Sequence, residues 1–234
     1  MPRMKEIAAS LLLACVAAAQ APQERPPQEL EPLPSALTYH TPAYHVRLRE
    51  VLLRKAGGRD LQLLILESFE PEVLLAVNRT ANGWQAEVIV PEKQIWELVS
   101  REEQEHKART ADPPCKVTRK PLPEALATRL LALWQTMLQR TRYAQPDLSL
   151  DGVSYVFLTN GYRGGEASNP KAGTRPFLLA EIGKLTVAWV RCEQAQEPAA
   201  LQQLTVKIET LEAMLAAADA PTTTAPKEET GSKK

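Results

Sequence analysis

Residues 161–175 carry the clearest capacity for chemistry in this chain. They hold four glycines and three cations, Arg163, Lys171 and Arg175, and they lead into an apolar helical pattern. Backbone N–H groups at a helix start, with cations beside them, hold anions. Arg163, Lys171 and Arg175 are therefore the candidate ligand-binding residues. No Gly-Lys-Ser/Thr element accompanies them, and the segment is longer than a phosphate loop. A surface loop that meets a partner fits the same composition.

Other reactive residue types are sparse. Of the three histidines, His40 and His45 are five positions apart, which separates them on a helix and on a strand alike. His106 lies in the charged run 101–109. No His-Glu-x-x-His, Cys-x-x-Cys or Gly-x-Ser-x-Gly pattern occurs, so the reading assigns no metal, no cofactor and no catalytic residue. Glu70 and Glu72 flank Pro71 and raise the thought of a carboxylate pair. Such pairs are defined by distance in space, and two turn residues in solvent is the simpler expectation.

The first 19 residues have the order of a secretory leader. Arg3 and Lys5 come first, then an Ala/Leu-rich run from residue 7 to 19, then small residues at Ala17-Ala18-Ala19. That run is too short to span a bilayer. A second reading is a bacterial lipobox at Leu12-Leu13-Ala14-Cys15, with Cys15 lipidated. The reading is thus export, to the periplasm or medium, with a lipid-anchored envelope protein as alternative. Loss of Arg3, Lys5 and Glu6 from 28 basic and 28 acidic residues leaves a near-neutral chain. This gives no electrostatic basis for nucleic-acid binding. No later apolar run reaches transmembrane length.

Export puts the remaining cysteines, Cys115 and Cys192, where disulfides persist. A bridge between them is expected. Residues 20–36 hold Pro22, Pro26, Pro27, Pro32 and Pro34 and read as a tether. Residues 220–234 read as a disordered tail, which leaves 37–219 as a single domain.

Within that domain, Tyr44, Leu48, Val51 and Leu52 have helical spacing. Residues 61–67, 73–77 and 84–90, with a turn at Asn82-Gly83, form a three-stranded antiparallel meander whose third strand is half exposed. A helix starts near residue 93. Residues 115–120 make a short edge strand between prolines. A long helix follows Pro123, with Leu126, Leu130, Leu133, Trp134 and Met137 on one face. A strand at 154–159 precedes the 160–175 loop, and helices cover 176–191 and about 198–218. The expected fold is α+β, a small antiparallel sheet of about four strands packed with several helices. In the last helix Leu201, Leu204, Ile208, Leu211 and Leu215 form a short heptad seam. It serves either the core or self-association.

At Leu-Asp-Gly-Val-Ser-Tyr-Val-Phe (residues 150–157), with the Gly-rich loop and helix after it, the second half of the chain resembles exported bacterial proteins of uncharacterised function. The resemblance implies no activity. The reading is therefore an exported, non-catalytic binding or scaffolding protein whose partner is an envelope protein or a small ligand. The alternatives are a carboxylate-dependent envelope hydrolase, or a small-ligand or anion-binding protein using residues 161–175. The leader predicts that exported protein begins at Gln20 by intact mass. A diacylglyceryl Cys15 terminus would place the lipobox first, and exported protein that keeps Met1 would contradict both.

Overall fold

The central strand β2 (Leu61–Glu67) accounts for the layout. Successive side chains of a strand point to opposite faces. Leu61, Leu63 and Ile65 therefore enter one core, while Leu64 and Leu66 enter a second one behind the sheet. The computed structural model describes residues 28–32, 42–54, 60–142, 152–160 and 164–219. The leader with Cys15, His40, Arg163 and the tail from 220 lie outside the described residues.

In chain order the elements begin with β1 (Glu31–Pro32), α1 (Pro42–Leu48) and its π-helical continuation Arg49–Leu53. Then come β2, β3 (Val73–Thr80), β4 (Gly83–Pro91), α2 (Ile95–Gln104), β5 (Cys115–Leu122) and α3 (Glu124–Gln139). The last are β6 (Val153–Thr159), β7 (Gly164–Ser168), α4 (Arg175–Arg191) and α5 (Glu197–Asp219). All pairings are antiparallel and the strand order is β1-β7-β6-β2-β3-β4-β5. The α+β class stands. The expected sheet of about four strands is corrected to seven among the described residues.

Two of the seven strands lay in segments read as irregular. The first is β7, inside the supposed 160–175 loop. Its sequence, Gly-Gly-Glu-Ala-Ser, lacks an apolar alternation because its neighbours stand too close for large side chains. A Cβ on Gly165 would lie 2.9 Å from Thr141 Cγ2 and 3.0 Å from Leu138 Cδ2. The second is β1, inside the supposed tether. Glu31 pairs with Glu166 and Pro32 with Gly165, and Leu30 is fully buried in the main core. The segment is Pro-rich, yet Leu30 fixes its end to the domain.

The meander and its hairpin are as expected, with Thr80 opposite Gly83. Its third strand is not half exposed. Ala86 and Val88 face one core and Ile89 the other, and Glu87 is buried as well. Both faces of the sheet are covered, so its strands carry apolar residues on both sides.

Helices α3, α4 and α5 cover the first face. Trp134 of α3 meets Phe157 of β6 edge-on, with ring centres 5.4 Å apart. α4 lies close to the sheet at Gly183, where a Cβ would come within 2.2 Å of Leu63 Cδ2. Leu204, Ile208, Leu211 and Leu215 of α5 are buried in this core and Leu201 packs against it. Four of the five seam residues are thus buried in the chain's own core.

The second face is covered by α1, its π-helical turn and α2. Tyr44, Leu48, Val51, Leu52, Ile95 and Val99 form that core with the strands. Cys115 packs on this side and Cys192 on the other. No disulfide joins Cys115 to Cys192 among the described residues. The sheet lies between them, so the expected Cys115–Cys192 bridge is not made.

Candidate functional site

The cation-bearing segment is used differently from the sequence reading. Arg175 opens α4, is buried, and is paired with the Glu29 carboxylate. Arg142 stands 3.9 Å from the same carboxylate oxygen. A buried guanidinium requires a partner, and the chain supplies its own. Gln28 Oε1 accepts from the Lys171 amide at 3.0 Å and from Thr174 Oγ1 at 3.2 Å. Thr174 also caps α4, accepting from the Phe177 amide at 3.3 Å. The start of α4 is therefore occupied by Gln28, Glu29 and Thr174 rather than open to an external anion. Lys171 is exposed, and Arg163 lies outside the described residues. Of the described cations, Lys171 faces solvent while Arg175 is buried against Glu29, so these two do not share one site.

The carboxylates Glu70 and Glu72 also separate. Glu70 is exposed. Glu72 is 1 % exposed and accepts from the amides of Ile95 and Trp96 at 2.8 and 2.9 Å and from the Tyr44 hydroxyl at 3.1 Å. It thus caps α2 from 23 residues away, since Gln94 at the cap position makes no side-chain cap. Burial, with the adjacent Glu72 charge, raises the Tyr44 hydroxyl above its ordinary range. The expectation of two solvated turn residues holds for Glu70 alone. His45 packs edge-on against Tyr44, and His106 is exposed. No three His, Cys, Asp or Glu side chains gather in a metal-binding group among the described residues.

Lys120 ties the far end of α4. Its ammonium donates to the carbonyls of Trp189 and Cys192 at 3.0 and 3.1 Å, and pairs with Glu197 at 2.8 Å. A cation at a helix C-terminus satisfies the last carbonyls and complements the dipole. Both ends of α4 are thereby fixed.

What lies open is a cleft of about 750 Å³ along α4. Its lining comes from Val153 and Tyr155 of β6, from Asn169 and Pro170, and from Phe177, Ala180, Glu181, Lys184 and Leu185 of α4. The opposite flank is Gln202, Gln203, Val206 and Lys207 of α5. The surface is mainly apolar, and Val206 is 53 % exposed in it. Glu181 and Lys207 close an ion pair across the two helices at 2.7 Å. Tyr155 is held above its ordinary pKa by burial, with the charges of Glu67 and Glu181 adding. Sequence reasoning missed this site because its residues come from three distant segments. One signal was available. Val206 stands off the heptad seam of α5, an apolar residue on a flank that is otherwise Gln and Lys.

Comparison with protein-family models finds no match, and comparisons with curated proteins and with solved structures find none either.

On the other face of the sheet, Glu166 stands opposite Glu31. Ser168 donates to it at 2.9 Å, and Ser154 and Ser168 are 2.8 Å apart. Burial pushes Glu166 up to about 7 and the Glu31 charge adds, against the serine hydrogen bonds. An acid with a raised pKa in the folded state favours folding below its ordinary value of 4.5 and loses that contribution as pH rises towards 7. E166Q should therefore gain stability relative to wild type between pH 5 and pH 8, read from urea midpoints. An equal gap at both pH values would contradict the coupling.

Proposed function

We propose that this chain is an exported, non-catalytic binding protein that takes an apolar ligand in the cleft between α4 and α5. The supporting observation is the cleft itself. Its volume lies within the range of small-molecule sites, and such sites combine apolar walls with a few placed polar groups. Phe177, Leu185 and Val206 supply apolar contact, and Glu181, Lys184 and Lys207 supply the polar groups. The helix that forms the floor is anchored at both ends, by Glu29 with Thr174 and by Lys120. A site held in shape before binding loses less ordering entropy when it is filled.

Export follows the leader reading alone. No described helix is long and apolar enough to cross a membrane.

The neutral dye N-phenyl-1-naphthylamine tests the site, because its fluorescence rises on entering an apolar pocket. The wild type should bind it. Val206→Asp puts a charge on an exposed position of the wall and should weaken binding about tenfold or more, about 1.4 kcal/mol, with an unchanged melting temperature. Val117→Asp, on the β5 edge, should leave binding as it was. Equal binding by wild type and V206D would place the dye elsewhere and remove the support for this reading.

A further inference from the structure

Three charged side chains line the cleft, and two of them neutralise each other. Glu181 is held by Lys207 at 2.7 Å. Lys184, on the same helix one turn further along, is exposed and makes no ion pair among the described residues. The unbalanced charge of the cleft is therefore positive and sits at one place. The wall beside it is apolar, from Phe177 at one end of the α4 row to Leu185 at the other. At 1.5 Å per residue that row is about 12 Å long.

An occupant that suits both features has an extended apolar body and one negative charge at its end. From this we propose that the ligand class is a medium-chain amphiphilic carboxylate, its chain along Phe177, Leu185 and Val206 and its carboxylate on the Lys184 ammonium. This inference rests on the proposed cleft function and specifies its ligand. A neutral chain would leave Lys184 without a counter-charge. An alkyl ammonium would meet it with like charge. A lysine can keep its head in water while its stem lies on apolar surface, so Lys184 can hold the ligand head at the solvent rim without a buried charge.

The same geometry sets the size of the effect. An ion pair at a solvent-exposed rim contributes modestly and is screened by salt. Decanoate should therefore bind about three- to fivefold tighter than decanol at low salt, within the range for exposed pairs. The preference should shrink as salt is added.

The experiment is displacement of N-phenyl-1-naphthylamine from the full exported chain by decanoate, decanol and decylamine, each below its aggregation concentration. Wild type should rank decanoate first and decylamine last. Lys184→Gln should bring decanoate and decanol to equal affinity, each read relative to the variant's own dye affinity. If wild type already binds decanoate and decanol equally, or if K184Q keeps the preference, the carboxylate inference is overturned while the apolar cleft stands. If the dye binds and no alkyl chain displaces it, the inference is likewise overturned. If the dye itself does not bind, the cleft function falls and the inference with it. Size-exclusion chromatography with light scattering at the same concentrations should show monomer with and without decanoate. A dimer that excludes the dye would make a second copy the occupant and overturn the proposal.

Discussion

A sheet that is apolar on both faces sets the terms for the whole molecule. Leu61, Leu63 and Ile65 of β2 point to one core and Leu64 and Leu66 to the other. Each such side chain contributes about 1.5–3 kcal/mol when buried, so neither face can be left to water. The chain meets this with two helical layers of unequal size, α1 and α2 behind the sheet and α3 to α5 in front. Each layer is then tied by polar groups far away in sequence. Glu72 caps α2, Glu29 takes the arginine that opens α4, and Lys120 closes the end of α4. These contacts satisfy helix ends and a buried guanidinium that would otherwise be costly.

The cleft is a consequence of that arrangement. α5 commits Leu204, Ile208, Leu211 and Leu215 to the core, and one of its flanks, with Gln202, Gln203, Val206 and Lys207, lines the cleft. α4 sits close to β2 at Gly183 and is held at both ends. Its opposite flank therefore cannot tilt to close against α5 without breaking a buried pair or a cap. The Glu181–Lys207 bridge joins the two flanks at one point. Apolar wall and the Lys184 charge stay beside each other because the backbone that carries them is fixed.

Much of the scaffold could be read from residue patterns. Tyr44, Leu48, Val51 and Leu52 gave the first helix, Asn82-Gly83 the hairpin, and Leu126 to Met137 the long helix, because each pattern is local. The misses share a different cause. Gly165 and Leu30 make sense only together, since the strand is small where the other chain segment is large. Glu72 looked like a turn residue because the helix it caps starts 23 positions later. Cys115 and Cys192 invited pairing by count, whereas the sheet that separates them depends on register. Arg175 reads from the sequence as a ligand-binding cation, whereas in the structure its guanidinium pairs with Glu29. Its partner, Glu29, lay in a stretch whose prolines concealed its packing.

The proposed ligand site is the flank between α4 and α5. Amide chemical-shift mapping during a decanoate titration tests it most directly. Saturable shifts are expected at Val153, Tyr155, Phe177, Lys184, Leu185 and Val206, with Lys171 and Cys115 unmoved. Shifts centred on residues 171–175, or spread evenly over the surface without saturation, would contradict it.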